Sequence, residues 1–173
     1  TTLFRSAYAP LMYQLAESGI DCFLVDMPFH MAFFGMNRAE EIMQEYNYEA
    51  WYLGGHSLGG AMAANFAADY VEDHTDGIRG LLLLAAYPTK DLSTSDMSVV
   101  TVYGSEDGVL NMDKIVAGRE LMPQDYKEVC IEGGNHAQFG SYGTQKGDGT
   151  AAIPAEEQWA RTVEDTCCRM LNA

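Results

Sequence analysis

Short apolar runs alternate along this chain with segments in which apolar residues recur every three or four positions. That recurrence is typical of helices, whereas short apolar runs closed by proline or glycine are typical of strands buried on both faces of a sheet. The predicted strands cover residues 20–28, 50–57, 80–88, 97–107 and 126–136. The predicted helices cover residues 7–18, 37–46, 58–70, 113–121 and 155–171. The alternation predicts an α/β fold, a mostly parallel sheet with helices on both faces.

The length and the charge of the chain limit its organisation and its partners. With 173 residues, of which 47% are hydrophobic, it has the size and composition of one globular domain. The formal net charge of −15 disfavours nucleic acid and anionic lipid, which bind clustered Lys and Arg. No apolar run approaches the roughly 18 residues of a membrane span. The chain begins with Thr-Thr rather than Met, so a removed leader, anchor or first strand stays open.

A Gly-x-Ser-x-Gly sequence lies between a predicted strand and a predicted helix, at residues 55–59. In that position it is typical of a sharp strand-to-helix turn, which presents a serine hydroxyl above the strand ends and admits only small neighbours. The turn also directs the first helical amides, that of Leu58 in particular, toward negative charge developing on a substrate oxygen. We interpret Ser57 as the candidate nucleophile, although the five-residue pattern alone also occurs by chance.

A serine nucleophile needs a base, and the base needs an acid to orient it. Asp107 lies at the end of the fourth predicted strand and His136 at the end of the fifth, both at the carboxyl ends of parallel strands, where α/β sheets place their sites. The order Ser57, Asp107, His136 is the order expected after a nucleophile turn of this kind. Glu106 is a competing candidate for the acid, and His30, His56 and His74 are competing candidates for the base.

Several segments together resemble the α/β-hydrolase superfamily, and within it the bacterial branch of dienelactone-hydrolase-like proteins and small carboxylesterases. The resemblance covers nearly the whole chain and is carried by AYAPLMYQLAESGIDCFLVDMPF, WYLGGHSLGGAMAA, GLLLLAAYPTKDL, VYGSEDGVLN and GGNHAQFGSYGTQKGDG. It implies a single α/β-hydrolase domain over residues 1–173, with Ser57, Asp107 and His136 as the catalytic triad. The Leu58 amide matches one oxyanion donor. About ten residues lie between Tyr87, near the end of the third predicted strand, and Ser98, near the start of the fourth, too few for a helical cap domain.

One strand of that family's sheet has no counterpart in this sequence, so relative to the family the domain is N-terminally truncated. The strand normally lies between those predicted at residues 20–28 and 50–57. Because its absence would leave two strand edges without partners, we expect either another segment in that position or direct pairing of the two strands. The second oxyanion donor is then missing or supplied from elsewhere, and the 173-residue chain is expected to be a poor catalyst by itself.

The resemblance implies a serine hydrolase that cleaves small carboxylic esters, thioesters or lactones through an acyl-serine intermediate, without a metal or organic cofactor. The alternative is a noncatalytic relative, or an inactive fragment, that binds a ligand or partner chain. We expect a small-molecule ester substrate, no nucleic acid, and a homo-oligomer or missing N-terminal segment completing the sheet. The bacterial branch implies the cytoplasm, while a removed leader or anchor stays open.

The candidate substrate-binding side chains follow the ends of the predicted strands and the predicted base. They are Phe29, His30, Phe33, Phe34, Tyr87, Gln138, Phe139 and Tyr142. Each of these side chains could equally belong to the core, which is the commoner place for clustered aromatic residues. The cysteines show no metal-ligand spacing, and we interpret them as core or surface thiols. They are Cys22, Cys130, Cys167 and Cys168.

Overall fold

The computed structural model describes residues 6–25, 38–74 and 77–170. Its four strands form one parallel sheet in the order β1-β2-β3-β4. They are β1 (Trp51–His56), β2 (Ile78–Leu84), β3 (Ser98–Gly104) and β4 (Tyr126–Ile131). The helices are α1 (Ala9–Glu17), α2 (Arg38–Glu45), α3 (Leu58–Asp73), α4 (Met112–Gly118) and α5 (Ala155–Met170), with 3-10 turns at Arg119–Leu121 and Ala137–Phe139. The predicted α/β fold with a parallel sheet is therefore confirmed.

Apolar side chains cover both faces of the sheet, because neighbouring residues of a strand point to opposite sides. On one face, Leu81 and Leu83 of β2 pack with Val99 of β3 against the alanine-rich side of α3. On the other face, Leu82 and Val100 pack against α1 and α5, where the core includes Leu11, Leu84, Val102, Phe139, Trp159 and Val163. The near-continuous apolar runs of β2 and β3 follow from this double burial.

The predicted end of the first helix is explained by the backbone conformation and hydrogen bonds that follow α1. Gly19, which follows the C-cap residue Ser18 of α1, has a φ of +90°, which a residue without a Cβ adopts at little cost. Its amide donates to the carbonyl of Ala16, and the amide of Ile20 donates to that of Leu15. These bonds satisfy carbonyls at the end of the helix, so that the chain turns away at that point.

The strand predicted at residues 20–28 is not formed in its described part. Residues 20–25 have no strand pairing, and residues 26–28 lie outside the described part. Direct pairing of this segment with β1, which the sequence offered as one way to close the sheet, is therefore wrong for the described residues. A strand forms only by hydrogen bonding to a neighbouring strand. Among the residues described, β1 has such a neighbour on one side only, namely β2.

Candidate active site

Ser57 occupies a strained turn between β1 and α3. Its φ of 55° and ψ of −125° are uncommon for any residue with a Cβ, and such strain costs on the order of 1–3 kcal/mol. The Ser57 amide donates to the carbonyl of Leu84 at 2.8 Å, while its own carbonyl accepts from the amides of Gly60 and Ala61 at 3.0 and 3.2 Å. The end of β2 and the first turn of α3 thus hold the strained conformation.

The residues around this turn are small because the backbone of α3 lies directly on β1. A Cβ added to Gly55 would lie 2.4 Å from the carbonyl carbon of Gly59. A Cβ added to Gly60 would lie 2.5 Å from the Cβ of Ala86 and 2.6 Å from the carbonyl oxygen of Gly55. Gly55 of the Gly-x-Ser-x-Gly sequence and Gly60, directly after it, therefore have the packing reason expected for a nucleophile turn, whereas a Cβ at Gly59 would meet nothing within 4 Å.

Ser57 and Leu58 lie at the amino-terminal end of α3. The Ser57 side chain makes no capping hydrogen bond with the helix, so the hydroxyl is not committed to a structural role there. Leu58 is the first residue of α3, and an amide in the first turn of a helix has no intrahelical acceptor. Its amide is therefore available to an anion. Leu58 is also 53% exposed.

Asp107 and His136 form a buried pair. Nδ1 of His136 donates to Oδ2 of Asp107 at 2.9 Å, and each side chain is 2% exposed. The other oxygen of Asp107 accepts from the amides of Val109 and Leu110 at 2.9 and 2.8 Å. Burial raises the pKa of the Asp107 carboxyl, but the hydrogen bonds from His136, Leu110 and Val109 together lower the pKa by more than burial raises it. The pKa of Asp107 is therefore below its usual 3.8. Asp107 is therefore held ionised where it orients the imidazole.

The hydrogen bond to Asp107 determines which nitrogen of His136 is left as an acceptor. Since Nδ1 carries the donated proton, the neutral ring presents the lone pair of Nε2. Nε2 is buried and has no hydrogen-bond partner in the part of the chain that the structure describes. The contact from the Ser57 hydroxyl to Nε2 is thus not formed in this structure, although such contacts often tighten only when substrate is bound.

His56 directly precedes Ser57, and its ring packs against the ring of His136. The two imidazole centroids are 4.5 Å apart, and a 2.9 Å hydrogen bond joins Nδ1 of His56 to the hydroxyl of Tyr8. Burial, followed by the positive charge that His136 can carry, lowers the pKa of His56 to about 3, with a smaller opposing effect of Asp107. His56 is therefore neutral across the physiological pH range and packs beside the His136 ring.

The remaining competitors for the acid and base roles lie away from this pair or outside the described residues. Glu106 is exposed and accepts from the hydroxyl of its neighbour Ser105 at 3.1 Å. His74 is exposed at the end of α3, where its ring stacks on Tyr70 at 4.1 Å. His30 lies outside the described residues. Among the described carboxylates and histidines that the sequence suggested for these roles, the structure brings Asp107 and His136 together.

The candidate substrate-binding residues have different surroundings. Phe29, His30, Phe33 and Phe34 lie outside the described residues. Phe139 is fully buried in the core with its ring 5.7 Å from that of His56, so it supports the site from below rather than lining an open surface. The side-chain Nε2 of Gln138 donates to the Ile153 carbonyl at 3.2 Å. Tyr87 is half-buried beside Gly118 of α4, and the Tyr142 ring lies 6.2 Å from His56.

Two polar residues that sequence analysis missed support the segment around His136. The side chain of Gln158 is fully buried, accepts from the Asn135 amide at 3.0 Å and donates to the Asn135 carbonyl at 2.8 Å. Asp148 accepts from the His136 and Ala137 amides at 3.2 and 2.8 Å. The signals were present: Gln158 interrupts the core-facing side of the last predicted helix, and Asp148 lies in the glycine-rich segment at residues 140–149.

Within residues 6–25, 38–74 and 77–170, no group of three or more His, Cys, Asp or Glu side chains is placed to bind a metal ion. Cys22, Cys130 and Cys167 are free thiols. In the same part of the chain, every helix is too short or too polar to cross a membrane.

Comparison with known proteins extends the fold assignment. No curated protein matches the chain. The structure resembles a protein from Agrobacterium vitis S4 described as a hydrolase (TM-score 0.62, 14% identity, covering 94% of this chain and 81% of that one). It also resembles the mouse alpha/beta hydrolase domain-containing protein 10 (TM-score 0.61, 11% identity, 95% and 84% covered). A third similar structure is a serine hydrolase involved in carbazole degradation (TM-score 0.60, 10% identity, 95% and 86% covered).

At these identities the structural likeness shows the fold alone, and the family follows from a match of the sequence itself. The model of the alpha/beta hydrolase family matches residues 2–160, which include the candidate residues Ser57, Asp107 and His136. Since that match spans most of the 173 residues and agrees with the parallel sheet described above, this chain belongs to the alpha/beta hydrolase family.

Proposed function

We propose that this hydrolase is a serine hydrolase that cleaves small carboxylic esters, thioesters or lactones through an acyl-serine intermediate. The observation that carries the proposal is the combination of a strained serine turn at Ser57 with a buried, hydrogen-bonded Asp107–His136 pair. Such a pair supplies the base that a serine hydroxyl needs at neutral pH. The bacterial dienelactone-hydrolase-like and small-carboxylesterase branch stays a prediction of the sequence.

In the proposed reaction, Nε2 of His136 accepts the Ser57 proton while the hydroxyl oxygen attacks the acyl carbon. Asp107 stabilises the resulting imidazolium through the 2.9 Å hydrogen bond to Nδ1. The Leu58 amide, at the start of α3, stabilises the negative oxygen of the tetrahedral intermediate. His136 then protonates the leaving group, and in a second half-reaction it activates the water that releases the acid.

The acyl-serine route itself needs only side chains, backbone amides and water. The connection between β2 and β3 is too short to form a helical cap above the strand ends. A small ester substrate is consistent with the absence of such a cap in this connection. The net charge of −15 disfavours strongly anionic substrates, because charges of the same sign repel.

The test is covalent labelling by a fluorophosphonate probe, followed by ester hydrolysis. Wild-type protein should be labelled at Ser57, and Ser57→Ala should lose labelling and lower kcat by a factor on the order of 10⁴–10⁶. The control is Ser18→Ala, which removes an exposed serine at the end of α1 and should leave both measurements unchanged.

The second candidate function is a noncatalytic binding protein that keeps the fold. The observation that favours it is the Nε2 atom of His136, which has no hydrogen-bond partner within the described residues. In that case a folded wild-type protein would show neither labelling nor hydrolysis above that of Ser57→Ala, and the acyl-serine proposal would be abandoned.

A further inference from the structure

The carboxylate of Asp148 connects three loops, two of which are consecutive along the chain. The acid loop comprises residues 105–110, the base loop residues 132–139, and the glycine-rich loop residues 140–149. Oδ1 of Asp148 accepts from the Gly108 amide at 3.1 Å and the His136 amide at 3.2 Å, and Oδ2 accepts from the Ala137 amide at 2.8 Å. Oδ1 also accepts from the next amide, that of Gly149, at 2.9 Å. One side chain thus bonds the loops that carry Asp107 and His136.

The backbone around Asp148 is packed too closely for this arrangement to be incidental. A Cβ added to Gly149 would lie 2.1 Å from the carbonyl oxygen of Glu106. A Cβ added to Gly108 would lie 2.5 Å from the carbonyl oxygen of Gly147. The glycine-rich loop therefore lies directly against the acid loop, and the absence of side chains at both positions lets the Asp148 carboxylate reach between the two loops.

A second contact ties the glycine-rich loop to the base loop. The side-chain amide of Asn135 donates to the Gly149 carbonyl at 2.8 Å, and its oxygen accepts from the Gln138 amide at 3.0 Å. Asn135 itself is held by Gln158 of α5 through its backbone amide and carbonyl. The base loop is therefore fixed on one side by a core helix and on the other by Asp148.

We propose that Asp148 is a positioning residue, which holds the acid loop and the base loop in the register that keeps His136 within hydrogen-bond distance of Asp107. Its effect on catalysis rests on the function proposed above, whereas its effect on the Asp107–His136 hydrogen bond does not. A carboxylate suits this role because it only accepts, and charge-assisted bonds to amides are about twice as strong as neutral ones.

The informative substitution is Asp148→Asn, because it keeps the shape and changes the hydrogen bonding. An asparagine side chain presents one oxygen and one amino group in place of two oxygens. If the oxygen takes the Oδ1 position, the amino group faces the Ala137 amide, and in the reverse orientation it faces the amides of Gly108 and His136. Either orientation sets donor against donor and breaks one side of the connection.

The matched control is Asp91→Asn. Asp91 lies in the connection between β2 and β3, where its Oδ1 accepts from the Ser93 amide at 2.8 Å. The substitution makes the same chemical change on a carboxylate that also bonds backbone, but in a loop without contact to Asp107 or His136 among the described hydrogen bonds.

The first measurement is hydrolysis of a small ester, with kcat and KM determined separately well below the melting temperature. Misplacement of catalytic groups by about 1 Å costs on the order of 100-fold in rate. Asp148→Asn should therefore lower kcat by about 100-fold and change KM by less than about threefold, whereas Asp91→Asn should leave both unchanged. A kcat within about threefold of wild type for folded Asp148→Asn would overturn the proposal.

The second measurement needs no substrate, so it separates this proposal from the proposed function. The proton on Nδ1 of His136 should give a downfield NMR signal in wild type and in Asp91→Asn, and the signal should broaden or disappear in Asp148→Asn. That result would support the role of Asp148 even if wild type hydrolysed no ester and took up no probe. An unchanged signal in Asp148→Asn would overturn it.

Hydrogen exchange of the wild-type protein keeps the proposal testable should Asp148→Asn fail to fold. The amides of Gly108, His136 and Ala137 all lie outside the strands and α-helices but donate to Asp148. They should exchange slowly, on the scale of the core strands rather than of open loops. Rapid exchange of these three amides would show that the connection is not maintained in solution, and would overturn the proposal.

Discussion

Lowering the pH from 7 to 5 should destabilise the folded chain through one imidazole, that of His56. The ring is packed among Tyr8, His136 and Phe139, and this burial, together with the charge that His136 can carry, lowers the pKa of His56 from 6.5 to about 3. In the unfolded chain the same ring is solvated and has its ordinary pKa. Between these two values the unfolded state binds a proton that the folded state does not.

The sign and the size of the effect follow from that difference. The contribution of a neutral His56 is fully present above about pH 6.5 and is lost as the pH falls from there toward about 3. Each pH unit inside this window costs about 1.4 kcal/mol, so the step from pH 7 to pH 5 should lower the free energy of unfolding by about 2 kcal/mol. The depressed pKa of Asp107 affects stability in a lower pH range, because the contribution of the ionised carboxylate is lost only as the pH falls below 3.8, the usual pKa of the group.

The assay is urea unfolding at pH 7 and pH 5 of three proteins: wild type, His56→Gln and His74→Gln. Glutamine keeps a hydrogen-bond acceptor for the Tyr8 hydroxyl but does not titrate. The change in free energy of unfolding between the two pH values should be about 2 kcal/mol smaller in His56→Gln than in wild type. His74 is exposed at the end of α3, so His74→Gln should retain the wild-type change. Equal changes in wild type and His56→Gln would refute the reasoning.

Two further predictions concern the candidate site. Asp107→Asn should lower kcat by about 10⁴-fold, because an amide no longer selects the productive tautomer of His136, whereas Glu106→Gln should change it less than about threefold, since that carboxylate is exposed. A larger loss in Glu106→Gln would exchange the two roles. Gly60→Ala should lower the free energy of unfolding by about 1–3 kcal/mol, measured by urea, because its Cβ would meet the Gly55 carbonyl and Ala86 at 2.6 and 2.5 Å. An unchanged midpoint would mean that α3 moves away from β1 at little cost.

The sequence by itself determined the fold class and the chain order of the candidate site. Apolar runs closed by turn residues are typical of strands covered on both faces of a parallel sheet, so β2 and β3 were predictable from composition and spacing. Ser57, Asp107 and His136 were also predictable as candidates, because each follows a strand end, and parallel strands bring those ends to one edge. These are local features, which a sequence carries directly.

Only the tertiary structure decided which side chains meet. Asp107 and Glu106 are neighbours with the same chemistry, yet one bonds His136 and the other is exposed, because the amides of Val109 and Leu110 hold the Asp107 carboxylate inward. The strand predicted at residues 20–28 had the right composition, but pairing in a sheet depends on a neighbour, and residues 20–25 have no strand neighbour among the residues that the structure describes.

The surroundings of Phe139 and Asp148 were likewise decided by the tertiary structure. The sequence left Phe139 open as a substrate-binding residue or a core residue, and the fold buries it with its ring 5.7 Å from that of His56. Asp148 appeared only as an acidic residue in a glycine-rich segment, while its four amide donors come from positions 108, 136, 137 and 149. Contacts between residues far apart along the chain are set by the packing of whole elements, and local composition does not encode them.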